Sequence, residues 1–179
     1  MYKVVLRIAI LIFCVCNSIN AQFKTSYFAN GKLKSEGCYS NDTLKQGPWR
    51  LYFNNGKLNA EGSYYYGKMY GEWKYYNFNT NTVEKSEYWK DGIQQGEQRE
   101  FYTTGKLYRS INYVDGVYDG ASVSFHTNGK LKAKGLHKAG IPEGVWENFD
   151  EKGRLISEKG EELKSDPPTK KRKRWWKKH

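Results

Sequence analysis

At 179 residues the chain fits one ordinary domain, and 38% hydrophobic content excludes a large two-layer core around a buried cleft. Aromatics at 16%, led by 15 Tyr, and 18 Gly against 4 Pro point to strands and tight turns rather than helices. A net charge of +11 argues for an anionic partner only where it is locally concentrated, and three Cys exclude a disulfide framework.

Residues 1–21 read as a targeting segment. Lys3 and Arg7 give a basic start, Ile8 to Val15 is an uninterrupted apolar run, and the chain then turns polar up to the small residue Ala21. So short a run cannot cross about 30 Å of hydrocarbon, which takes ~20 residues, and a cleaved secretory signal is expected. Neither Cys14 nor Cys16 follows the small residue of a lipoprotein signal. Cleavage near Ala21 would export the chain to the periplasm, the cell envelope or the medium. In the exported chain Cys38 reads as a small strand side chain.

Residues 22–156 are organised by internal repetition. Gly47-Pro48-Trp49, Gly71-Glu72-Trp73, Gly96-Glu97-Gln98, Gly120-Ala121-Ser122 and Gly144-Val145-Trp146 recur at steps of 24 or 25 residues. An aromatic stands five residues after each leading Gly: Tyr52, Tyr76, Phe101, Phe125 and Phe149. A second mark of the type Asn55-Gly56-Lys57-Leu58 recurs, replaced in the third repeat by Asn79-Thr80-Asn81-Thr82-Val83. A third mark is Gly67, Gly92, Gly116 and Gly140, each four residues before the next leading Gly. Two turns per repeat predict an all-β fold: a single elongated, twisted antiparallel sheet of five consecutive β-hairpins and about ten strands. Asn-Gly predicts a type I′ turn, and a glycine-first loop at Gly67-Lys68 predicts type II′.

The glycine-first loop places Glu61 across from Lys74, with Glu36 against Arg50 and Lys134 against Glu147 as the equivalent pairs. Unlike charges directly opposed favour that register by ~0.2–1 kcal/mol. It also sets Gly37, Gly62 and Gly135 opposite Trp49, Trp73 and Trp146, and where the Trp is lost the Gly is lost too: Glu87 faces Gln98, and Ile111 faces Ser122. An indole laid across a strand glycine covers backbone that has no side chain of its own. By alternation Leu58, Ala60, Gly62 and Tyr64 share one face with Trp73 and Tyr75, and Asn59, Glu61, Ser63 and Lys74 share the other.

The frame Tyr64-x-x-Gly67-x-x-x-Gly71-x-Trp73-x-x-Tyr76, with its Asn-Gly-Lys-Leu turns, resembles the bacterial variant of the MORN repeat, found in chains often described as YwqK-type antitoxins. The resemblance covers about residues 28–156 and implies a sheet of hairpins used as a scaffold or protein-binding surface, with an antitoxin-like inhibitor as an alternative. The aromatic face, with Trp49, Trp73, Trp146, Tyr64, Tyr75 and Tyr113, is the candidate partner-binding surface, with a homodimer formed by an edge or by this face as one variant. The same residues also read as a core closed by curling or self-association.

Residues 157–179 form a tail. Ser165-Asp166-Pro167-Pro168 breaks the repeat, and Lys170, Lys171, Arg172, Lys173, Arg174, Lys177 and Lys178 surround Trp175 and Trp176. This cluster is a candidate binder of an anionic membrane surface or polyanion, or a solubilising end. Nucleic acid is the least favoured partner, because an exported chain seldom meets it. No catalytic, metal or cofactor set is expected: His126, His137 and His179 have no partner at ligand or triad spacing, and carboxylates such as Glu36, Glu61 and Glu147 face salt-bridge partners on a solvated surface.

Overall fold

The computed structural model describes residues 21–40 and 43–157. The expected signal, apart from Ala21, and the basic tail lie outside these residues. Thirteen strands follow in chain order: β1 (Ala21–Tyr27), β2 (Leu33–Ser40), β3 (Leu44–Tyr52), β4 (Leu58–Tyr65), β5 (Lys68–Tyr76), β6 (Val83–Lys90), β7 (Ile93–Gln94), β8 (Gly96–Phe101), β9 (Leu107–Val114), β10 (Val117–Phe125), β11 (Leu131–Lys138), β12 (Ile141–Phe149) and β13 (Leu155–Ser157). They form one antiparallel sheet in which each strand pairs with its chain neighbours; β7 pairs only with β6, and β8 takes over the pairing. There is no helix among the described residues. The count exceeds ten because β1 and the short β13 add edges and one strand is split into β7 and β8.

Neither kind of turn has the type that the glycine and asparagine positions predict. Between β4 and β5 the loop is Tyr66-Gly67, closed by the pair Tyr65–Lys68, with φ of 45° and 78°. Both central residues are left-handed, as type I′ demands. Asp91-Gly92, Asp115-Gly116 and Ala139-Gly140 repeat the pattern, so glycine stands second in the loop, not first. At the other end, Gly56 N–H donates to the Phe53 carbonyl (2.8 Å), a type I turn, and Phe53 N–H to that of Lys57 (2.9 Å). Asn55 keeps an ordinary φ because its Oδ1 accepts from Lys57 N–H at 2.9 Å, a local bond that stabilises the turn without a left-handed asparagine. In the third repeat Asn81, at φ 57°, takes over the left-handed place.

The predicted strand partners nevertheless hold at the far end of each hairpin. Ser63 pairs with Tyr70, but two residues further along β4 Glu61 pairs with Lys74. The extra pair of residues on β5 is a bulge around Gly71 (φ 71°), which makes up for the displaced loop. Glu36–Arg50 and Lys134–Glu147 are register partners as expected. The ion pairs are partly different. Arg50 reaches both Glu36 (3.8 Å) and Glu61 (3.5 Å), whereas the Lys74 ammonium lies 3.4 Å from Glu72 on its own strand. Exposed pairs of this kind add little stability each.

Both long rims of the sheet are stitched from one repeat to the next. Gly67, Gly92, Gly116 and Gly140 donate their N–H groups to the carbonyls of Lys45, Met69, Gln94 and Tyr118, at 2.7–3.0 Å. On the other rim Lys32, Lys57, Lys106 and Lys130 donate through Nζ to Asn55, Asn79, Thr127 and Lys152 carbonyls. Each hairpin thus caps polar groups that its neighbour leaves open, the nearest-neighbour logic of repeat proteins.

Candidate functional site

The indoles lie as the volume argument requires. A Cβ built on Gly37 would come within 2.4 Å of the Trp49 ring, and one on Gly62 or Gly135 within 2.3 Å of Trp73 or Trp146. Ring and glycine therefore share a face and are in contact. Trp49 and Trp73 also donate Nε1–H to the carbonyls of Cys38 (3.0 Å) and Ser63 (2.9 Å). The Trp146 Nε1–H has no such acceptor.

Laid flat, the rings are hidden although the described residues form a single layer. Trp49 is 3% exposed, Trp73 1%, Trp146 8% and Tyr113 9%. Tyr39 and Tyr64 stand edge-on against Trp49 at 5.1 and 5.7 Å, and Tyr64 stands edge-on against Trp73 at 5.0 Å. The Lys45 ammonium sits over both the Trp49 and Tyr64 rings at 4.5 and 4.7 Å, its stem covering apolar surface. Burial holds the Lys45 pKa below its ordinary value. Tyr64 and Tyr75 are half-buried in the same row. The expected binding surface is thus largely core: it offers a partner tyrosine rims and lysine stems rather than open indoles.

The six predicted residues do not form one row. Trp49, Tyr64, Trp73 and Tyr75 are continuous. Tyr113 and Trp146 belong to a second run, linked through Tyr118 and His137 by ring contacts of 4.7, 5.5 and 5.1 Å. Between the runs the buried row turns polar. Glu87 and Gln98 are 5% and 6% exposed. The Glu87 carboxylate takes Lys85 Nζ at 2.5 Å and Trp89 Nε1–H at 3.2 Å, with the Tyr75 side chain beside it. Burial, with this carboxylate beside it, drives the Tyr75 pKa far up. Gln98 accepts from Gln94 and donates to Glu100, both at 2.8 Å, and Arg109 grips Glu100 through two bonds of 2.9 Å. Every member has a partner, so the seam is a closed network.

Four exposed tyrosines cluster on and beside the opposite, charged face. Tyr65, Tyr66, Tyr70 and Tyr88 are 49%, 61%, 47% and 50% exposed. Tyr65 contacts Tyr66 at 4.6 Å and Tyr70 at 5.7 Å between ring centroids, and Tyr70 and Tyr88 wall an open groove with Trp89, Lys90 and Gln95, floored by Gly71 and Gly96. A signal was available. Strand alternation that puts Tyr64 beside Trp73 puts Tyr65 on the other side, and the same count applies to Tyr88 beside Glu87. Of the histidines, His126 bonds the Phe149 carbonyl at 2.8 Å and His137 fills a tyrosine place in the ladder. Lys170 to Lys178 lie outside the described residues.

The model of the MORN repeat variant matches residues 24–41, 45–64, 94–115 and 118–139. The β5–β6 hairpin, whose closing turn uses Asn81 in place of glycine, and the terminal β12–β13 hairpin fall outside these matches. No curated protein matches the chain.

Proposed function

Since the chain is built of MORN repeat variants, modules that generally bind proteins or membranes and are not a known enzyme family, we propose that it is a non-enzymatic scaffold holding another protein against its tyrosine face. The observation that carries this reading is the exposure of Tyr65, Tyr66, Tyr70 and Tyr88 in one patch. Tyrosine supplies large contact area at low conformational cost, and contiguous aromatic surface left in solvent marks an interface. The indole row supports the role indirectly, by holding the sheet rigid beneath the patch.

The chain acts outside the cytoplasm in this reading, delivered by residues 1–21, whose basic start and short apolar run support a cleaved signal. The domain limits are 22–156 for the repeats and 157–179 for the tail. The cationic tail from Lys170 to Lys178, with Trp175 and Trp176, supports a second, weaker contact with an anionic surface.

Affinity capture from the native host, followed by mass spectrometry, tests the main reading. Tyr65→Ser/Tyr70→Ser/Tyr88→Ser should abolish capture while the far-ultraviolet circular dichroism stays that of the parent. Capture by the triple variant at parental level would sink it. Trp73 is unsuited to this test because removing a ring 1% exposed perturbs the fold itself.

A further inference from the structure

We propose that the segment docking on the tyrosine patch is an acidic peptide, read by Lys68 and Lys90 alongside the rings. The inference rests on the scaffold reading above and names the chemistry of its partner. Lys68 is the strand partner of Tyr65, and Lys90 lines the groove walled by Tyr70 and Tyr88. Both lysines are exposed. Several other cations on this face are neutralised locally: Arg50 by Glu36 and Glu61, Lys74 by Glu72, Arg99 by Glu97, Lys134 by Glu147 and Lys138 by Asp119. The exposed Lys34 and Lys132 are in no ion pair among the described residues either, but neither lines the groove between Tyr70 and Tyr88. Lys68 and Lys90 have no carboxylate within ion-pair distance among the described residues. Nor do the hydroxyls of Tyr65, Tyr66, Tyr70 and Tyr88 bond to any described residue, in contrast to Tyr52 and Tyr76, which donate to Glu36 (2.5 Å) and Glu61 (2.7 Å). The patch therefore offers two ammonium groups and four phenolic donors around apolar rings, and its natural complement is a chain of carboxylates interspersed with aliphatic side chains.

Asp91, at the adjoining turn, is the nearby acid without an ion pair among the described residues; it sits in the loop, beyond the groove lining. A peptide suits the site better than nucleic acid or a bilayer. Two lysines do not make the continuous cationic track that a phosphate backbone follows. Lys3, Arg7 and the seven cations from Lys170 to Lys178 account for nine of the eleven net charges, and residues 22–156 hold 19 Lys and Arg against 15 Asp and Glu, a modest excess spread over the whole sheet.

The probe is a short fluorescent peptide alternating Glu with Leu, compared with its Gln–Leu counterpart by anisotropy on the full chain. The Glu peptide should bind about tenfold tighter, the worth of two exposed ion pairs at ordinary strength. Lys68→Glu/Lys90→Glu should erase that preference. Lys34→Glu/Lys132→Glu changes the net charge equally at exposed positions elsewhere and should leave it intact, which separates the site from the background pull of the tail. A preference that survives K68E/K90E, or falls equally in K34E/K132E, overturns the proposal. Competition by phosphatidylserine vesicles or oligothymidylate with the same dependence on Lys68 and Lys90 would also overturn it, as a general polyanion site. Tyr70→Ser/Tyr88→Ser distinguishes the two levels. If it removes binding of both peptides while the charge reversals do nothing, the patch stands and its acidic preference falls. If it changes neither affinity, the patch itself is the error.

Discussion

Across β2 to β5 the buried row of the sheet is indole against bare backbone, whereas across β6 to β8 the same row is carboxylate against amide. The positions are equivalent. Gly62 and Trp73 become Glu87 and Gln98 one repeat later, and all but the glycine are less than a tenth exposed. In the first region the large ring occupies the volume that its partner's missing side chain vacates. In the second, two medium side chains share it, and each has its polar atoms satisfied by neighbours, Glu87 by Lys85 and Trp89 and Gln98 by Gln94 and Glu100. What the repeat conserves is therefore filled volume over the strand pair, while its polarity is open to exchange provided every donor and acceptor is paired. The two solutions should fail differently when perturbed.

The largest effect is expected in the indole region. Gly62→Ala would put a methyl 2.3 Å from the Trp73 ring, and a buried indole packed flat has nowhere to move, so urea unfolding should show a loss of about 3 kcal/mol, the upper end for overpacking. Trp73→Ala alone should cost about 4 kcal/mol. The double variant should cost clearly less than the two together, because alanine at 62 then has no ring to meet. Strict additivity would mean that the ring and the glycine are not in contact.

The seam should respond next. Glu87→Gly strands the Lys85 ammonium and the Trp89 N–H, and should cost about 2 kcal/mol. Adding Gln98→Trp to it rebuilds the neighbouring arrangement, with the indole over the glycine of the preceding strand. The pair should regain stability to within about 1 kcal/mol of the parent. A double variant less stable than Glu87→Gly alone would show that the two regions are not interchangeable.

The smallest effect concerns the far run. Burial holds the His137 imidazole below its ordinary pKa of 6.5. The unfolded chain therefore takes up a proton at higher pH than the folded one. The stabilisation is complete above about pH 6.5 and is lost as pH falls below it. Thermal melts between pH 7 and pH 5 should thus show a small acid-dependent decline in the parent that His137→Tyr lessens. Equal declines in both would remove His137 from the account.

Much of this architecture was readable from the residues alone. The glycines at fixed spacing and the joint loss of Trp and Gly implied hairpins, their far-end register and which residues share a face. Turn type was hidden, because shifting the loop by one residue and adding a bulge at Gly71 cancel by the time the chain reaches Lys74. Only the near pairs, such as Ser63 with Tyr70, betray the difference. For the indoles the sequence leaves two readings open, partner surface and core, and a ring lying flat on glycine and flanked by tyrosine edges is buried without a second layer. The exposed aromatics were to be found by counting one residue further, at Tyr65 and Tyr88.

The rim bonds carry a consequence for distance. Because the glycine amides hand the same rim contact from hairpin to hairpin, and the lysine ammonium groups do so at every repeat but the third, inserting or deleting one unit of the common type would keep the rim bonds and alter how far apart the ends of the sheet lie. Two strand spacings make that increment ~10 Å. Repeat number therefore grades distance along the sheet in fixed steps, and the tyrosine patch lies a whole number of such steps from β1.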